Sequence, residues 1–250
     1  MEKKLSGKVA VVTGASKGIG ASIAKEMAAE GAAVVVNYSS SRKAAEEVVA
    51  EIKKNGGRAV ALQADMAKKA EIERLFSEAM KAFGRIDVLV NNAGIYEFAP
   101  LEEITEEHFH KHFNLNVLGL LLASQQAARY FGRDGGNIIN ISSLAPKKAF
   151  PTTSVYSATK SAVDTLTRTF ANELGPRNIR VNAINPGMVE TEGVRAGGFI
   201  GSDFHKQLLS GTPLGRIGQP SDVAPLAVFL ASSESSWITG ETFFVTGGQY

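Results

Sequence analysis

Short runs of Val, Ile, Leu and Ala recur at 8–13, 33–37, 58–62, 86–91, 137–142, 179–185 and 242–246, and most are followed by a segment with apolar residues at three- and four-residue spacing. Strands this continuously apolar are covered on both faces, so the alternation predicts successive strand–helix units and a parallel sheet with helices on either side. Helices are expected over 21–30, 42–54, 68–82, 115–131, 154–174 and 221–231, with Gly31, Gly56, Gly84 and Gly175 as C-terminal caps. The 188–218 segment breaks the rhythm. It carries Gly193, Gly197, Gly198, Gly201, Gly211, Gly215 and Gly218, and reads as an insertion or substrate lid. A chain of 250 residues fits one domain spanning 1–250.

After the first run comes Thr13-Gly14-Ala15-Ser16-Lys17-Gly18-Ile19-Gly20 and then a helix. A strand, a glycine-rich turn and a helix N-terminus let backbone N–H groups and the helix dipole face a pyrophosphate, although glycines at such turns also serve backbone geometry alone. Dinucleotide sites that accept NAD place an acid about 20 residues on, at the ribose 2′-hydroxyl. Here that region reads Asn37-Tyr38-Ser39-Ser40-Ser41-Arg42, and no carboxylate lies between Gly31 and Ala45. Arg42, Lys17 and the serine hydroxyls could instead surround a 2′-phosphate, and one arginine there would favour NADPH over NADH by roughly ten- to hundredfold. The competing reading leaves both cations as ordinary solvated charges.

Composition narrows the partners. Lys and Arg total 27 against 25 Asp and Glu, with the signs interspersed, so no polybasic stripe suggests nucleic acid or an anionic membrane. The absence of cysteine removes disulfides, thiolate nucleophiles and Cys-ligated zinc. Neither the apolar run at 9–12 nor the stretch at 117–123 is long enough for a signal-peptide core or a membrane span, so a soluble cytoplasmic protein is expected.

Tyr156 and Lys160 share one face at the start of the 154–174 helix. A nearby ammonium favours tyrosinate and lowers a phenol, which suits proton exchange with a ketone or alcohol. Ser142 and Ser143 end the fifth strand, where a hydroxyl could polarise a carbonyl or simply cap a turn.

Thr13–Gly20, Asn91-Asn92-Ala93-Gly94, Asn116, Ser143, Tyr156-x-x-x-Lys160, Asn185-Pro186-Gly187 and Thr191 together resemble, in order and spacing, the short-chain dehydrogenase/reductases over residues 5–248. The resemblance implies a Rossmann-type, doubly wound α/β fold with a seven-stranded parallel sheet. It makes Tyr156 the general acid/base and Ser143 the hydrogen-bonding partner of the carbonyl oxygen. Lys160 would hold the ribose hydroxyls and Asn116 would support a water relay. Among cofactor contacts it implies Gly14, Ser16, Lys17, Gly18, Ile19 and Gly20 at the pyrophosphate, and Asn37, Tyr38, Ser39, Ser40 and Arg42 near the second ribose. Asp65 and Met66 would meet adenine, Asn92, Ala93 and Gly94 the adenine ribose side, and Pro186, Gly187, Val189 and Thr191 the nicotinamide. A homotetramer is implied too, with the 115–131 and 154–174 helices and the last strand at interfaces. Many relatives have Asp before the paired glycines, where this chain has Val245-Thr246-Gly247-Gly248, which touches C-terminal packing and not the chemistry.

The function expected is an NADPH-dependent carbonyl reductase, reversible as an alcohol dehydrogenase, acting on a small molecule that includes 3-oxoacyl thioesters among its candidates. A glucose-type sugar dehydrogenase is an alternative, since Asn37-Tyr38-Ser39-Ser40 looks like that of glucose-dehydrogenase relatives. A non-catalytic NADP-binding sensor is a second class, opposed by the full set of Asn116, Ser143, Tyr156 and Lys160. Arg129, Arg133, Arg177 and Arg180, interrupted by Asp134, leave binding of an acyl-carrier protein open. No metal site is expected: His108, His110 and His112 read as a solvated or interface face. Lys147 and Lys148 read as a loop tip, and Tyr96, Phe98, Leu144, Phe150, Phe199 and Phe204 as pocket or core.

Overall fold

The computed structural model describes residues 3–249; the side chains of Asp203 and Phe204, and with them one expected pocket residue, lie outside that description. Seven strands, β1 (Val9–Val12), β2 (Ala33–Tyr38), β3 (Arg58–Gln63), β4 (Val88–Asn91), β5 (Gly136–Ile141), β6 (Ile179–Pro186) and β7 (Thr242–Val245), form one sheet in the order β3-β2-β1-β4-β5-β6-β7. Every pairing is parallel. The chain starts at β1, winds outward to β3, and returns to β4 beside β1. That reversal opens a crevice outside the carboxyl ends of β1 and β4, where doubly wound sheets bind ligands.

Alternate residues of one strand serve opposite cores. Ala10, Val12, Val34 and Val36 pack with α1 (Gly18–Ala29), α2 (Arg42–Lys54) and α9 (Pro220–Ala231). Val11 and Val35 pack on the other face with α3 (Lys69–Phe83), α5 (Leu120–Tyr130) and α6 (Ser154–Leu174). This two-sided burial is why the strands read as unbroken apolar runs.

Three local features depart from the periodic reading. A further helix, α4 (Glu106–Phe113), is capped by the Thr105 hydroxyl accepting from the His108 N–H. The expected 115–131 helix opens with a π-helical turn, Asn114–Gly119, before α5 begins. Gly175 keeps a right-handed backbone into a 3₁₀ turn (Gly175–Arg177), and Asn178 takes the left-handed position at φ 57°. The 188–218 segment contains α7 (Glu192–Ala196) and α8 (Asp203–Ser210), and its ends are stitched together where Val189 and Gly218 bridge. Among the described residues, no helix is long and apolar enough to cross a membrane.

Candidate active site

The phosphate loop is held from below. Asn37 is buried, its Oδ1 accepts from the Gly14 N–H at 3.0 Å and its Nδ2 donates to the Ala64 carbonyl at 3.1 Å. Asn37 thus braces the loop with its side chain. Tyr38 is buried as well, whereas Ser39, Ser40 and Arg42 are exposed. The Thr13 hydroxyl ties the loop to β4 by accepting from the Asn92 and Ala93 N–H groups at 2.9 and 3.0 Å. Asn92 returns its amide to the Thr13 and Gly14 carbonyls. Its neighbour Asn91 points inward, to Ser124 and Asn140.

Glycine is required here by space. A Cβ on Gly14 (φ +60°) would lie 2.9 Å from the Ala93 backbone, and one on Gly20 would lie 2.6 Å from the Gly14 carbonyl oxygen. No side chain of Lys17 caps α1, and the Gly18 N–H instead receives an anion: the Glu192 carboxylate, at 2.9 Å. That carboxylate stands in for a phosphate oxygen, so the donor set fits a dinucleotide pyrophosphate. Ser16, Lys17 and Ile19 lie on the same turn, and Thr191 packs over Gly18 while capping α7. Asp65 accepts from the Ala67 N–H, and Met66 is buried with its carbonyl against Gly119, so these two flank β3's exit. Pro186 ends β6, Gly187 donates to the Val245 carbonyl at 3.0 Å, and buried Val189 follows.

Across the crevice the π turn delivers Asn116. Its side chain pairs with both backbone groups of Ile95, accepting at 2.9 Å and donating at 2.9 Å, and its Nδ2 also reaches the Thr159 hydroxyl at 3.1 Å. Thr159 in turn donates to the Tyr156 carbonyl. Gly94 lies where these groups meet, since a Cβ there would sit 3.1 Å from Asn116 Oδ1 and 3.8 Å from Lys160 Nζ. Lys160 is buried and donates to the Ile141 carbonyl at 2.8 Å, with Nζ 5.8 Å from the Tyr156 ring centre. The structure therefore brings Asn116, Ser143, Tyr156 and Lys160 to one place.

Burial lowers the Lys160 ammonium to about 8, against the opposing pull of Asp164. Burial also raises the Tyr156 phenol above its ordinary value, while the Ser143 hydroxyl acts the other way. The lowering expected from Lys160 is not found in the chain itself, because Nζ is turned to a carbonyl and desolvation dominates.

Phe98 stands edge-on to Tyr156 at 5.9 Å and to Phe199 at 6.0 Å, and Tyr96 tilts against Phe98 at 6.3 Å. The wall joins the loop after β4 to the 188–218 segment. Its anchor is the histidine cluster that the residue pattern placed on a solvated or interface face. His112 is fully buried; its Nδ1 donates to the His108 carbonyl and its Nε2 accepts from the Glu97 N–H at 3.0 Å. Burial accordingly lowers His112, keeping the neutral ring this pairing needs. Among the described residues, no group of three or more His, Asp or Glu could hold a metal ion. Leu144 is buried in the core, Phe150 is half-buried, and Lys147 lies over the Phe244 ring.

The residue pattern missed Thr159 and Asp164. Asp164 was visible as a carboxylate four residues beyond Lys160, on the same helical face.

Comparison with known proteins agrees with this construction. A family model described as enoyl-(acyl carrier protein) reductase matches residues 14–249. An uncharacterised oxidoreductase of Methylorubrum extorquens is 54% identical over 98% of both chains. A hydroxynaphthalene reductase-like protein of Metarhizium brunneum is 43% identical over 98% of this chain and 96% of its own. Among solved structures, a short-chain dehydrogenase from Burkholderia cenocepacia in complex with NADP superposes with a TM-score of 0.92 at 38% identity, covering 98% of each chain. A 7α-hydroxysteroid dehydrogenase complexed with NADH and a 7-oxo bile acid conjugate gives 0.95 at 36% identity, over 99% of this chain and 96% of that one. With the sheet order, the glycine turn and the Ser143, Tyr156 and Lys160 cluster all in one chain, these likenesses make it a member of the short-chain dehydrogenase/reductase family, and so an oxidoreductase.

Proposed function

We propose that the protein is an NADPH-dependent carbonyl reductase, reversible as a secondary-alcohol dehydrogenase, whose substrate carries its ketone beside apolar or aromatic bulk. When bound, the dinucleotide supplies or accepts hydride at the nicotinamide. The rest is done by the chain. Ser143 donates a hydrogen bond to the carbonyl oxygen, and Tyr156 gives that oxygen its proton. A phenol held above its ordinary value is protonated at neutral pH, which suits a donor in the reductive direction. Lys160 and Asn116 lie behind it, placed to hold ribose hydroxyls and to pass a proton inward. Gly14, Ser16, Lys17, Gly18, Ile19 and Gly20 hold the pyrophosphate. Asp65, Met66, Asn92, Ala93 and Gly94 line the adenosine side, and Pro186, Gly187, Val189 and Thr191 the nicotinamide side.

The phosphate preference rests on Arg42, which opens α2 with its side chain 76% exposed and paired to Glu46 at 2.8 Å. An exposed pair of this kind exchanges readily for a phosphate. The substrate class rests on one observation, the Phe98 ring edge-on to Tyr156 with Phe199 beyond it. A sugar could stack its C–H face on such a wall, but its hydroxyls need hydrogen-bonding groups that the Phe98 and Phe199 rings do not offer. Of the four arginines that could meet an acyl-carrier protein, Arg180 is spent on the Leu230 and Ser232 carbonyls and Arg177 on that of Ala128, while Arg129 and Arg133 stay exposed. The 188–218 segment acts as a lid over this pocket. A cytoplasmic homotetramer completes the reading, supported by exposed Leu118 on the π turn leading into α5.

The test is NADPH oxidation with a bicyclic aromatic ketone, an acetoacetyl thioester and, in reverse, glucose, each repeated with NADH. The reading expects turnover highest with the bicyclic ketone and NADPH. Preference for the thioester or for glucose would reassign the substrate, and preference for NADH would remove Arg42 from its role.

A further inference from the structure

The loop after β4 is gripped on alternate residues. Asn116 pairs with both backbone groups of Ile95, and two imidazoles do the same for Glu97: the His112 Nε2 accepts from its N–H at 3.0 Å and the His108 Nε2 donates to its carbonyl at 3.2 Å. A period of two is that of a strand, so side chains of α4 and the π turn serve the loop as a partner strand would. Tyr96 and Phe98 alternate with the gripped residues. Both are 38% exposed, so burial alone does not hold them, and beyond them the Ala99 N–H donates to the Thr152 carbonyl at 3.0 Å. Phe98 therefore stands between two backbone ties, of which only the one at Glu97 ends on titratable groups.

We propose that His112 is a positioning residue that sets substrate selectivity: its neutral ring, with His108, holds the Glu97 backbone and thereby keeps Tyr96 and Phe98 in the wall beside Tyr156. The inference rests on the reading, given above, that this wall receives a bulky ketone. The hydrogen bonds fix the state of the ring. A carbonyl only accepts, so Nδ1, 2.9 Å from the His108 carbonyl, carries the proton, and Nε2 is left as the acceptor that the Glu97 N–H needs. A second proton would set N–H against N–H inside a fully buried site. Burial lowers His112 accordingly, so the grip holds at neutral pH and is lost only as pH falls below the ordinary histidine value. The titratable groups acting on the ring are His108 and Lys111 of its own helix and Glu97 of the loop, whose carboxylate pairs with Lys111 at 2.6 Å. The π turn and α6, which also pack on α4, bring none among the described residues.

The same bonds demand opposite tautomers, Nδ1–H on His112 and Nε2–H on His108. Ring ¹⁵N shifts of the four histidines read both tautomer and midpoint without turnover, with signals assigned by their loss in His108→Gln and His112→Gln. Selectivity is read as kcat/KM for a bicyclic aromatic ketone over that for a small aliphatic one, a ratio in which groups acting on both alike cancel. It should fall roughly two- to tenfold as pH drops through the His112 midpoint, together with faster exchange of the Glu97 amide. In His112→Gln the side-chain oxygen can accept from the Glu97 N–H but takes no proton, so the ratio should stay high and lose its pH dependence. His112→Leu should show the low ratio at every pH; should it misfold, His112→Gln and the pH series of the unmodified chain decide the matter. A ratio that ignores the His112 midpoint, or an Nε2–H tautomer on His112 at neutral pH, overturns the proposal. A chain inactive on every ketone whose Glu97 amide is still released as His112 titrates would discard the proposed reaction and keep the clamp.

Discussion

On the β1–β3 side of the crevice the ligand-facing atoms are mostly backbone, held by buried side chains; on the β4–β7 side they are side chains projecting from helices and a long connection. Gly18 turns its N–H outward to the Glu192 carboxylate, and Asn37, Thr13 and Asn92 spend their polar atoms locking that turn. Opposite them, Phe98, Tyr156 and Phe199 form a wall of rings whose shape depends on the 188–218 segment and on the His112 clamp. A backbone site tolerates little change and reads a group common to all dinucleotides. A side-chain site can be altered residue by residue, which is how one fold serves many substrates.

If that contrast is right, crowding the backbone side should do the most damage. Gly20→Ala drives a Cβ against the Gly14 carbonyl and the Asn92 amide, and overpacking of this kind costs roughly 1–3 kcal/mol. Thermal unfolding should show the loss together with failed NADPH binding. Gly175→Ala, where a Cβ meets nothing within 4 Å, is the control, and a similar loss there would erase the distinction.

A smaller effect is expected at the rim of the same side. Arg42→Ala should lower the NADPH-over-NADH preference by roughly ten- to hundredfold, read as the ratio of kcat/KM values. An unchanged ratio would move the phosphate contact elsewhere.

The smallest change tests where the two sides touch. The Glu192 carboxylate occupies the Gly18 N–H that a phosphate would use, so Glu192→Gln should tighten NADPH up to about fivefold in a fluorescence titration. Weaker binding would make Glu192 a supporting residue instead of a competitor.

The same contrast decides what the sequence disclosed. The inner strands were legible because both faces of each are buried, half-buried β3 and β7 because they keep short apolar runs, and α2 and α6 matched their expected bounds because they carry an amphipathic stripe throughout. The turn at Thr13–Gly20 announced itself through glycines that local backbone demands. Helix α4 was harder, since Glu106-Glu107-His108-Phe109-His110-Lys111-His112 carries hardly any apolar stripe and its helicity comes from the Thr105 cap and the buried His112. His112 read as part of a solvated or interface face because imidazole is polar; only the His108 carbonyl and the path of the Glu97 backbone show that both ring nitrogens are used. The bracing role of Asn37 was hidden for a related reason. A polar residue at a strand's end can face a ligand or brace a loop, and the choice depends on contacts with Gly14 and Ala64 that are distant along the chain. Tyr156, Lys160 and Ser143 stood out by spacing and family likeness, but the Asp164–Asn185 pair beneath them joins two elements and no local pattern marks it.

The central claim is that Tyr156 carries the proton of a reduction whose cofactor is held by other atoms. It is tested most directly in Tyr156→Phe by measuring NADPH affinity through fluorescence and ketone turnover in the same preparation. The account predicts affinity nearly unchanged and turnover lower by roughly 10²–10⁴-fold. Turnover retained above a few per cent of the unmodified protein would contradict it.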